Sequence, residues 1–125
     1  FYAELLTDLR SRLPETPISI TALASWCLGD PWLEAAWPGP PPIDDAVPML
    51  FRMGVDEQRV RRHLASGGDF SSPLCRRSLG LATDEPQPPL PASWLEERRL
   101  YLFHPRPWSF AAWNAATGAE PTELR

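Results

Sequence analysis

Lysine is absent from the 125 residues: all twelve basic side chains are arginine, against sixteen acidic ones, for a net charge of −4. With alanine, proline and leucine abundant, this usage marks a codon bias toward G and C, which is ancestry more than mechanism. The charge balance excludes a basic nucleic-acid arm, and an apolar content of 43% excludes a disordered acidic tail. No run approaches the roughly 18 apolar residues that a membrane helix requires, so no transmembrane segment is expected. Histidine and cysteine number two each and show no short ligand spacing, so neither a metal nor a cofactor is expected. Cys27 and Cys75 are too few for the dense scaffold of small secreted domains. Local pattern leaves both one bridge and two buried thiols open. Gly67-Gly68 follows no strand and lacks the Lys-Ser or Lys-Thr of a phosphate loop. Ser25, between Ala24 and Trp26, is not in a nucleophile elbow.

Proline and tryptophan are what the chain has in excess, at sixteen and six. Proline at that density punctuates the sequence with stiff loops. Indoles need a partner for N–H when buried, which places several tryptophans at a core edge or cleft wall. The chain begins with Phe1 and no positive stretch precedes an apolar run, so a targeting signal is expected to lie outside it and the chain to be a piece of a longer protein.

Tyr2, Leu5, Leu6, Leu9 and Leu13 recur at helical spacing and predict an amphipathic helix ended by Pro14 and Pro17. Ile18 to Trp26 alternates and reads as a strand. Asp30-Pro31 caps a short helix through Trp32, Leu33 and Trp37. Pro38-Gly39-Pro40-Pro41-Pro42 is a stiff connector, or a ligand for a proline-recognising module. Val47 to Met53 is a nearly continuous apolar run, expected to be a strand covered on both faces. Asp56 caps a helix with Val60 and Leu64 inward and Arg59, Arg61, Arg62 and His63 outward, stopped at Gly67-Gly68. Further strands are expected at Ser78–Thr83 and Leu100–His104, one or two helical turns at Ala92–Arg98, and a helix at Trp108–Ala116 with a loose tail over 117–125.

Alternating helices and strands imply crossover connections and a parallel sheet, an α/β fold. Four such strands covered on one side leave a bare face and two open edges. The expected architecture is therefore a single partial domain over residues 1–125, about the C-terminal half of a (β/α)8 barrel of TIM type with upstream strands missing. A small open sandwich of sheet and helices is the alternative. Exposed edges near Ile18 and Leu100 predict poor solubility of the isolated chain.

Ser19 to Cys27, Val47 to Gly54, Ser78 to Pro86 and Tyr101 to Trp108 form blocks that resemble the bacterial family described as domain of unknown function 3142. The likeness runs from about Phe1 to Trp108. It implies kinship with barrel-type glycoside hydrolases and an upstream region carrying an acidic strand end, but no established reaction.

In a parallel barrel the working rim lies at the carboxyl ends of the strands. Sugar-cleaving sites need a proton donor, a second carboxylate and flat aromatic faces. Asp84 and Glu85 are the candidate catalytic carboxylates, with Arg52, Trp26, Asp30, His104, Arg106 and Trp108 as candidate substrate-binding residues and Trp32 as a further face. Asp84 and Glu85 also read as loop acids that pair with Arg52 or Arg106, and a buried Arg52 demands such a partner. The expected function is a carbohydrate-active, glycoside-hydrolase-like barrel. The alternatives are a glycan-binding module without turnover and a structural or interaction domain using the proline loops. A glycan or other small-molecule ligand is the expected partner, and the bacterial periplasm or cell envelope the expected location.

Overall fold

The structure, a computed structural model, describes residues 2–30 and 32–118. In chain order it comprises α1 (Tyr2–Arg12), β1 (Ser19–Leu23), α2 (Trp32–Ala35), β2 (Asp45–Met49), α3 (Glu57–Ala65), β3 (Ser78–Ala82), α4 (Ala92–Glu97), β4 (Arg99–Phe103) and α5 (Phe110–Thr117). Single 3-10 turns cover Ala24–Cys27, Gly54–Asp56 and Pro73–Cys75. The four strands form one sheet in the order β1-β2-β3-β4, and every neighbouring pair is parallel. The chain is thus an α/β fold built on a parallel sheet. No helix among the described residues is long and apolar enough to cross a membrane.

Alternation decides the faces. Ile20 and Ala22 of β1 are buried while Ser19, Thr21 and Leu23 are exposed, because successive residues of a strand point to opposite sides. The buried set joins Ala46, Leu50, Leu79 and Leu81 in one core with Leu6 of α1, Leu33 of α2, Val60 and Leu64 of α3 and Trp94 of α4. These helices therefore pack on one face of the sheet. On the other face, register aligns Leu23, Met49, Gly80 and Tyr101. Gly80 sits close against β2 there: a Cβ would lie 3.1 Å from the Pro48 carbonyl oxygen and 3.3 Å from Val47 Cγ1, so a side chain would push these neighbours outward by a few tenths of an ångström.

The β2–β3 ladder is reduced to the single pair Met49 and Gly80. Leu50 N–H donates to Gly80 O at 2.9 Å. Alternate residues aim N–H the same way, so Pro48 stands where the next donor toward β3 belongs and has none. A side-chain bridge replaces it at the amino end, where Ser78 Oγ donates to Asp45 Oδ2 at 2.8 Å. Nearby, Asp44 accepts from Ile18 N–H at 2.7 Å and from Arg10 Nη2 at 2.6 Å. The Ile18 donor, then the Arg10 guanidinium, hold its carboxyl below the usual range.

Several boundaries differ from expectation. β1 ends at Leu23, because Ser25 O accepts from both Leu28 and Asp30 N–H and turns the chain. That turn carries Cys27 inward to a disulfide with Cys75, with Cα atoms 5.8 Å apart. β2 occupies Asp45–Met49 instead of running on to Met53, since Arg52 has φ +48° and cannot extend a strand. The Asp56 side chain makes no cap bond to α3, which the Gly54–Asp56 turn leads in instead. α5 starts two residues late because Ser109 Oγ accepts from Ala112 N–H at 3.1 Å. Gly118 closes it in the left-handed region. Of the α1 leucines only Leu6 is buried; Leu5 and Leu9 are exposed, as is Leu13 just past the helix. α2 ends before Trp37, and Pro31 lies outside the described residues. Of the tail expected over 117–125, Thr117 belongs to α5 instead, Gly118 closes the helix, and the rest from residue 119 onward lies outside the described residues.

Candidate functional site

The carboxyl end of β2 runs directly into a strained turn. Arg52 is the one non-glycine residue with positive φ among the described residues, a conformation that costs a residue with a Cβ about 1–2 kcal/mol. It is held from the loop after β3. Arg52 N–H donates to both oxygens of Glu85, at 3.1 and 3.2 Å. The guanidinium donates from Nη2 to Asp84 Oδ2 at 2.6 Å, and Nη1 lies 3.8 Å from Glu85 Oε2. Its Cζ sits 5.6 Å from the Phe51 ring centroid. Adjacent acids on one loop thus clamp the backbone and the side chain of one arginine on the next.

The expectation that Arg52 pairs with the Asp84-Glu85 loop agrees with this geometry; the expectation that it is buried does not. Its side chain is 53% exposed, because the turn lifts it off the strand into solvent. Five guanidinium N–H groups exceed what two carboxylate contacts consume. The remaining donors face a ligand hydroxyl pair or carboxylate well. Asp84 and Glu85 already accept from Arg52, so the arrangement is an anchored cation, not two free carboxyl groups across a gap.

His104, one residue past β4, is fixed on two sides. Its Nδ1 lies 2.6 Å from Thr83 Oγ1. Its ring stacks on Trp108, with centroids 4.7 Å apart and planes at 23°. Trp108 in turn meets Trp113 edge-on at 5.7 Å. Trp108, Phe110 and Trp113 are all exposed, a cluster of aromatic surface beside the carboxyl end of β4. Glu85 and His104 line a common cavity.

The other candidates fall elsewhere. Trp26 stacks on Trp32 at 4.4 Å, and Trp32 has Tyr2 stacked at 5.9 Å and Trp37 edge-on at 5.8 Å. Both indoles are partly buried and packed against the core, apart from the Arg52 clamp. Asp30 accepts from Trp32 N–H at 3.1 Å and so starts α2, as expected. Arg106 is exposed and enters no ion pair among the described residues. Sequence reasoning missed Trp113 and the orienting role of Thr83. A hydroxyl at a strand end beside a neighbouring strand's histidine was the available signal for the latter. No group of His, Cys, Asp and Glu among the described residues is arranged to hold a metal ion.

No protein-family model, curated protein or solved structure matches the chain.

Proposed function

We propose that the carboxyl-end rim binds carbohydrate without cleaving it, Arg52 donating to sugar hydroxyls or a uronate carboxylate and Trp108 with Trp113 supplying apolar ring contact. The observation that carries this reading is the clamp on Arg52: a half-exposed guanidinium on a strained backbone, kept in place by two acids, is built for an external acceptor. The same pairing counts against Asp84 and Glu85 as an acid and base pair, since neither stands free opposite a second carboxyl group. We further propose that the four βα units are about half of an eight-stranded barrel. The one-sided helix layer and the element order support this. The buried Cys27–Cys75 bridge supports an extracytoplasmic location, because such bonds persist in oxidising compartments.

The test is calorimetric titration of the chain with neutral and uronate-containing oligosaccharides, alongside an assay for released reducing ends. Saturable binding that weakens at least tenfold in Trp108→Ala, with no new reducing ends, is expected. Release of reducing ends that disappears in Glu85→Gln would establish the hydrolase reading instead. No binding by any oligosaccharide would remove the carbohydrate reading altogether.

A further inference from the structure

Behind the rim, on the side of the helix layer, α5 lies over the carboxyl ends of β3 and β4 and forms one wall of a cleft, open to solvent on one side, of about 370 Å3. The sequence explains why the space is there. α5 presents Ala112, Ala115 and Ala116 to the cavity, and none of its residues is buried. Side chains of leucine size at those positions would fill the gap. Opposite them stand Leu81 and Leu102, the former buried in the core. Protein interiors are close-packed and keep few voids larger than a water molecule, whereas ligand pockets begin at about 300 Å3.

Polar groups converge on one side of this apolar space. Thr83, Glu85 and His104 line it. His104 Nδ1 is engaged by Thr83 and its ring is pinned by Trp108, while Nε2 has no protein partner among the described residues. Glu85 accepts one N–H through both oxygens and keeps further lone pairs. Two carboxylates and one guanidinium at this corner leave one net negative charge.

We propose that the cavity is a binding site for a small amphiphile: a short alkyl or aryl body between the alanine face of α5 and the leucines of the sheet, with a hydroxyl or amine head donating to Glu85 or His104. An anionic head is rejected by the negative corner. The site does not rest on carbohydrate binding at the rim, since its walls are apolar and Trp113 and the Arg52 guanidinium are not among them.

The test uses the full chain with 1-hexanol, hexylamine and hexanoate as probes, followed by calorimetry and ligand-observed saturation-transfer NMR. Saturable binding of hexanol and hexylamine, at least tenfold tighter than hexanoate, is the expected result. Ala115→Trp, on the exposed helix, fills the cavity and abolishes binding. Ala111→Trp, on the same helix but outside the cavity, retains it. If Ala115→Trp loses its native circular dichroism, Ala112→Phe closes the same space. Absence of saturable binding, hexanoate binding as tightly as hexanol, or undiminished binding in the blocked variants would each overturn the proposal.

Discussion

The Glu85 carboxylate receives the backbone N–H of Arg52 through both oxygens, at 3.1 and 3.2 Å, and so holds that residue at φ +48°. The contact is structural in the first instance. Glu85→Ala removes an acceptor from a charge-assisted bond and is expected to lower stability by about 1–2 kcal/mol. Glu85→Gln, which keeps one oxygen, should lose less than half of that. Urea unfolding of the three proteins decides it; equal stability of wild type and Glu85→Ala would mean the turn holds itself.

The Cys27–Cys75 bridge closes a sequence separation of 48 residues and both sulfurs are buried. Constraining an unfolded loop of that length stabilises by about 4 kcal/mol on a chain-entropy basis, and measured effects typically run about 2–4 kcal/mol. The double variant Cys27→Ala/Cys75→Ala is expected to unfold at correspondingly lower urea, and wild type under reductant should follow it. Coincident curves with and without reductant would show that the bond contributes nothing.

Acid sensitivity should trace in part to Asp69, with Asp44 the other carboxyl held below its ordinary value. Burial pushes the Asp69 carboxyl up, but the Arg98 bond, the Phe70 N–H and the Arg98 and Arg76 charges together outweigh this and hold it below the ordinary value of 3.8. Arg98 is itself only 9% exposed and lies 3.7 Å over the Trp94 ring. A carboxyl lowered on folding contributes stability that is present above its unfolded pKa and lost as pH falls through the folded one. Stability should therefore decline as the pH drops from near 4 downward. Asp69→Asn should flatten that decline while costing roughly 1–2 kcal/mol at neutral pH. An unchanged acid slope in Asp69→Asn, read by denaturant titration at several pH values, would assign the sensitivity to other groups.

Open sheet edges at β1 and β4, together with Leu5 and Leu9 exposed on α1 and Leu13 just past it, predict concentration-dependent self-association. Light scattering coupled to gel filtration should show mass rising with protein concentration, and less so for Leu9→Glu. A monodisperse monomer at every concentration would contradict this.

Much of the sheet was legible because its signals are local. β3 and β4 are short apolar runs bounded by arginines, acids and prolines, and Arg52 among apolar residues pointed to a carboxylate partner before its partner was visible. What the chain concealed depends on distant contacts. The end of β1 is set by a turn whose Cys27 bonds to Cys75, and no local pattern shows two Cβ atoms facing each other. Trp26 and Trp108 look alike in sequence; one is packed against Trp32 while the other has its ring contacts with His104 and Trp113 at the surface. α1 has the periodicity of a buried stripe, yet only Leu6 is buried and Tyr2 partly covered.

Arg52→Gly gives the most direct test of the central claim, that a strained arginine is retained to anchor a ligand at the carboxyl ends of the strands. Glycine relieves about 1–2 kcal/mol of left-handed strain. Against that stand the lost half-exposed ion pair, worth about 0–1 kcal/mol, and the greater freedom of glycine in the unfolded chain, about 0.5–1 kcal/mol. Stability should therefore stay within about 1 kcal/mol of wild type. Titrating both proteins with the same oligosaccharide should show affinity falling at least tenfold in the variant. Unchanged affinity together with a large loss of stability would contradict the account and make Arg52 a structural residue.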